Sequence, residues 1–121
     1  MLNKGLRDEE NERINNVLKQ LIALTHVPEN WNLSDLDNQL KMLGLTMENL
    51  VDFEAGQLIA QLEKLHFDWT NTEQFADFLK QLSTQTAYST LKGKAVAVYH
   101  YIQMESKTFS FDIFNKINAL Q

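Results

Sequence analysis

The chain has 121 residues, 44% hydrophobic and 22% charged, a composition that folds and is long enough to bury about two-thirds of its unfolded surface in one core. Sixteen acids against eleven bases give a net charge of −5, with 11 acids and 6 bases in residues 1–66 and 5 of each in residues 67–121. No Lys and Arg cluster is available to neutralise a phosphate backbone, which disfavours nucleic acid, and the absence of cysteine excludes disulfides, thiolate metal sites and cysteine nucleophiles.

Met1 to Gly5 leads into charge without an apolar leader core, and no stretch approaches 18 uninterrupted apolar residues. A soluble, cytoplasmic protein with no membrane association is expected. Apolar residues recur at spacings of three and four almost throughout, so the elements are helices.

The first helix is expected over Asp8 to Thr25, with Ile14, Val17, Leu18, Leu21 and Thr25 on one stripe. Asp8, Glu9 and Glu10 would occupy its first turn, where the helix dipole favours negative charge, and Pro28 disfavours helical geometry at Val27. Ser34 is the expected cap of a short second helix carrying Leu36, Leu40 and Leu43, which Gly44 should end. Leu45 would then serve two ends at once, meeting Leu40 in a Schellman closure and Leu50 as a staple behind a Thr46 cap.

The third helix is expected to run unbroken from Thr46 to about Leu65 through Val51, Ala55, Leu58 and Leu62, with Gly56 as a point of bending or close contact. A fourth begins near Asn71 or Thr72 and presents Phe75, Phe78, Leu79 and Leu82. Thr70 with Glu73 and Asn71 with Gln74 both have capping-box spacing. The fifth, Ser89 to Glu105, carries two apolar faces, Leu91, Ala95, Val98 and Ile102 on one and Ala97, Tyr101 and Met104 on the other, and is expected to be the most buried. The sixth starts at Ser110, with a staple between Phe109 and Phe114 and with Ile113, Ile117 and Leu120 following.

Two segments echo each other about 38 residues apart: Gln20-Leu21-Ile22-Ala23 returns as Gln57-Leu58-Ile59-Ala60. Each is followed by a His (His26, His66), a Trp (Trp31, Trp69), a hydroxyl-acid pair (Ser34 with Asp35, Thr72 with Glu73) and a Leu-Lys-x-Leu run. This period belongs to helical repeat arrays. The expectation is one all-α domain over 1–121, six helices as three long-short hairpins (8–43, 46–84, 88–120), in a right-handed α-solenoid-like stack or a compact six-helix bundle.

The chemical motifs argue against catalysis. His26 and His66 fall at helix C-termini, where a cation gains from the dipole, and His100 lies on the polar line of its helix. Glu63 and His66 have the Glu-x-x-His spacing of di-iron bundles, but the first repeat offers no second copy, so no metal is expected. Asp35 with Asp37 and Glu48 with Asp52 lie near helix starts, where acids are common. No phosphate-cradling loop, nucleophile elbow or dinucleotide fingerprint is present, and no cofactor is expected.

Ten of the twelve aromatics lie from Phe67 onward. Phe109, Phe111, Ile113 and Phe114 cannot all face inward on one short terminal helix, so one or two should be exposed, at an oligomer seam or a partner surface. The reading that follows is a non-catalytic protein-binding module, an adaptor, inhibitor or assembly subunit, with Tyr101, Phe109, Phe111, Phe114, Trp31 and Trp69 as candidate contacts. Its partner is expected to be a protein, basic by charge complementarity, or a second copy through the last hairpin. Two alternatives stand beside it. One is an enzyme using His66 or His100 with Glu63, Asp68 or Tyr101. The other is an apolar-ligand carrier lined by Phe75, Phe78, Tyr99 and Ile102.

Overall fold

The computed structural model describes residues 2–27 and 31–121, with side chains from Asp8 onward. Pro28 falls outside them. The described residues form seven α-helices and no strand: α1 Leu2–Leu24, α2 Leu33–Leu40, α3 Met47–Asp52, α4 Ala55–Lys64, α5 Trp69–Leu82, α6 Leu91–Glu105 and α7 Phe111–Leu120. Short 3₁₀ turns at Lys41–Leu43 and Thr86–Tyr88 extend the connections.

The count is seven because the expected third helix is broken. Phe53 leaves α3 with extended backbone (φ −72°, ψ 140°), and α4 restarts behind Glu54, whose N–H donates to the Gln57 side chain at 2.9 Å. Lys94, from α6, donates to the carbonyls of Leu50 and Val51 at 2.8 and 2.6 Å. These two acceptors belong to the last turn of α3 and lack helical partners, so the lysine satisfies them and complements the helix dipole. Gly56 is not the bend: it lies inside α4 facing open space.

Other boundaries move for equally local reasons. α1 starts at Leu2, six residues early, so Asp8, Glu9 and Glu10 lie beyond its first turn. Asn32, and not Ser34, caps α2 by accepting from the Asp35 N–H at 3.2 Å. Asp68 caps α5 by accepting from the Asn71 N–H at 2.7 Å, which puts Thr70, Asn71 and Thr72 inside the helix. α6 begins at Leu91, after the Thr86–Tyr88 turn.

The closure around Leu45 follows the sequence expectation. Gly44 adopts φ +68°, the Leu45 N–H donates to the Leu40 carbonyl at 3.0 Å, and Thr46 and Asn49 exchange side-chain bonds in a capping box. Leu40, Leu45 and Leu50 are all buried. A Cβ at position 44 would meet Gln61 Nε2 at 2.8 Å, and that amide donates to the Leu43 carbonyl at 2.9 Å. Glycine is therefore required by conformation and by space.

One cluster of buried residues draws from all seven helices. α5 packs against both α1 and α6, α2 packs on α1, and α7 packs on α6. α5 holds the centre, burying Phe75, Ala76, Phe78, Leu79 and Leu82 together with Asn71 and Thr72. The place expected for the fifth predicted helix goes to α5 because only one face of α6 is fully buried, Ala97 and Tyr101 on the other being half-buried. Leu91, Ala95, Val98 and Ile102 are buried, whereas Met104 is 74% exposed.

Glutamines join helix ends across this core. Gln81 donates to the Ile22 carbonyl at 2.7 Å and to Thr25 Oγ at 2.6 Å, closing the end of α1. Gln103 reaches both backbone groups of Ser110 at 2.9 Å. No described helix is long and apolar enough to cross a membrane.

Candidate interaction surface

The α6–α7 turn is built to hold its backbone still. α6 ends at Glu105 with Ser106 as its C-cap, Lys107 takes a left-handed conformation (φ 58°), and the Gln103 amide accepts from the Ser110 N–H while donating to the Ser110 carbonyl. Ser110 Oγ then accepts from the Ile113 N–H at 3.2 Å and caps α7. Ile113 and Ile117 turn inward and are buried.

Phe111 and Phe114 are one turn apart on the opposite side of α7, so once the isoleucines are buried these rings face water. The staple forms, with the Phe109 and Phe114 ring centroids 5.7 Å apart, and Phe109 meets Phe111 edge-on at 5.0 Å. Yet Phe109, Phe111 and Phe114 are 59%, 75% and 45% exposed. Taking about 200 Å² for a whole phenyl side chain, the cluster offers about 350 Å² of apolar surface, in the size range of the largest patch on a typical monomer.

The two tryptophans are not equivalent. Trp31 precedes the cap of α2, donates its indole N–H to the Thr25 carbonyl at 3.1 Å, and rests against Tyr88 with centroids 6.1 Å apart. Trp69 follows the cap of α5, is 41% exposed, and leans on Tyr101 at 5.7 Å. Burial, then the Glu63 carboxylate beside it, push the Tyr101 phenol above its ordinary pKa, with Glu105 adding to the effect. Trp69 forms part of the wall of a cleft of about 300 Å³ between the start of α5, the end of α6 and the start of α7.

The histidines differ as well. His66 is the C′ residue of α4 at φ 58°, its N–H donating to the Glu63 carbonyl while the Phe67 N–H reaches the Leu62 carbonyl, which is the Schellman pattern. His26 lies after α1 without a positive φ, and His26, His66 and His100 all have exposed side chains. Asp68 is committed to its cap. Asp37 accepts from the Met47 N–H at 2.8 Å and so ties α2 to α3.

Phe75, Phe78 and Tyr99 are fully buried in the core, with Phe75 and Phe78 6.4 Å apart, while the largely buried Ile102 reaches the cleft beside Trp69. Among the described residues, no group of three or more His, Asp or Glu side chains is placed to hold a metal.

A charged network has no precursor in the sequence pattern. Lys116 of α7 pairs with Glu73 at 2.7 Å and with Asp77 at 3.0 Å, both on α5, and the buried Tyr99 of α6 donates its hydroxyl to Asp77. Burial acts to lower the Lys116 pKa, but the hydrogen bonds it donates to Glu73 and Asp77, and their negative charges, outweigh it and leave it raised. Burial first, then the bond to Asp77, drive the Tyr99 phenol far above its ordinary range. The groups come from three helices, and only the tertiary fold brings them together.

Comparison with family models, with curated proteins and with solved structures finds no match for the chain. Its function is therefore argued from its own surface.

Proposed function

We propose that this chain is a helical protein-binding module without chemistry of its own, and that Phe109, Phe111 and Phe114 are the centre of its docking face. One observation carries the reading: Phe109 packs against both Phe111 and Phe114 on the solvent side of a turn whose backbone is pinned by Gln103 and Ser110. Rigid aromatic anchors that are already in position lose little entropy on binding, which is why such residues dominate interface energetics. The net charge of −5 favours a partner with basic groups around its apolar pocket.

The test is native mass spectrometry of the chain purified from its source cell, beside a Phe109→Ser/Phe111→Ser variant. A protein retained by the parent and lost from the variant supports the docking face. Retention of the same protein by both sinks it.

A further inference from the structure

Burying the whole phenylalanine cluster would remove only about 350 Å² of apolar surface from water. The gain from burying so small an area is of the same order as the cost of association itself, so a stable complex needs a further specific contact. The cleft beside the cluster supplies one.

Ser110 forms part of the cleft wall and stands between Phe109 and Phe111 in the chain, so the cleft and the cluster adjoin at the α6–α7 turn, although none of the three rings lines the cleft. Ile102 and Ile113, both buried, form its apolar floor, and Trp69 and Glu73 of α5 stand in its wall. Lys116 engages Glu73 through Oε2, and among the described residues Oε1 makes no hydrogen bond. Because Lys116 also serves Asp77, the trio of Glu73, Asp77 and Lys116 carries one net negative charge. Glu63 and Glu105 add negative charge beside Tyr101, which braces Trp69. Lys107 is the opposing charge in the turn between Ser106 and Thr108.

An exposed indole next to a half-engaged carboxylate is complementary to a cation that is planar and weakly hydrated. Guanidinium fits better than ammonium, since it can stack on the ring while donating in its own plane to an oxygen.

Building on the docking face above, we propose that this cleft receives an arginine side chain of the partner, stacked on Trp69 and paired with Glu73, while neighbouring apolar side chains of that partner cover Phe109, Phe111 and Phe114. The partner segment is thus defined chemically: an arginine flanked by large apolar residues.

The test uses N-acetyl-arginine amide against its neutral isostere N-acetyl-citrulline amide, titrated at constant ionic strength into the ¹⁵N-labelled full chain. The two indole N–H resonances report separately. The arginine probe should shift Trp69 with a Kd on the order of 10 mM and leave Trp31 in place, and citrulline should bind about fivefold more weakly. Glu73→Gln should weaken the arginine probe by a similar factor. Since Glu73 also holds Lys116, the amide spectrum of that variant is checked for folding, and the citrulline comparison on the parent chain carries the test if it unfolds.

Equal shifts from both probes, equal movement of Trp31 and Trp69, or no shift at Trp69 overturns the arginine site. Neither probe has an apolar side chain for the phenylalanine cluster, so these outcomes leave the docking face to its own experiment.

Discussion

Tyr99→Phe should change how stability depends on pH. The buried Tyr99 hydroxyl donates to Asp77; removing it costs a hydrogen bond to a charged acceptor, about 1.5 kcal/mol near neutrality because Asp77 keeps its bond to Lys116. The native phenol has a raised pKa, whereas the unfolded one titrates at the ordinary value of 10.0. A raised native pKa means that the unfolded chain loses its proton first, so the stabilisation is intact below pH 10 and is lost as pH rises further. At pH 11 the unfolded parent chain gains about 1.4 kcal/mol from ionising this tyrosine, and the phenylalanine variant gains none.

Lys116, whose native pKa is raised above 10.5, has the same sign and weakens both proteins over the same range. Urea denaturation between pH 8 and pH 11 should therefore show both stabilities falling above pH 10. The parent should fall more steeply, and its advantage should shrink from about 1.5 kcal/mol to near zero at pH 11. An advantage that stays constant to pH 11 would refute the account of Tyr99 as a buried, neutral donor.

Two further substitutions probe helix ends. Lys94→Met should lower stability by about 1–2 kcal/mol, seen as a Tm lower by several degrees, since two carbonyls of α3 lose a charged donor in a partly exposed place; Lys92→Met, at an exposed position of the same helix, is the control, and equal melting of the two variants would contradict this role. His66→Gly should raise stability by about 0.5–1 kcal/mol in thermal melts, because the left-handed C′ position of α4 strains a residue with a Cβ; a fall would assign the imidazole a stabilising contact.

Much of the fold was legible where a signal was local. Gly44, Leu45 and Thr46 announce a helix end and the next start within three residues, and Ser110 with Phe109 and Phe114 does the same for α7. Long-range causes left no such trace. Val51, Ala55 and Leu58 continue a helical spacing straight through Phe53, and the side chain that satisfies the broken end, Lys94, lies more than forty residues downstream.

The repeat was legible as a string but misleading in detail, since Trp31 precedes its cap and Trp69 follows one, giving one an internal hydrogen bond and the other a cleft wall. Exposure of the terminal phenylalanines could be argued from crowding on a short helix. That Trp69 and Glu73 would stand in a cleft beside them could not, because the cleft is assembled from three helices.

The docking face is tested most directly by replacing Phe111 with a photo-cross-linking benzoylphenylalanine in the source cell, beside the same replacement at Met42, an exposed apolar residue on another part of the surface. The account predicts one discrete adduct with another protein from position 111 and none from position 42. No adduct at position 111, or the same adducts from both positions, would contradict it.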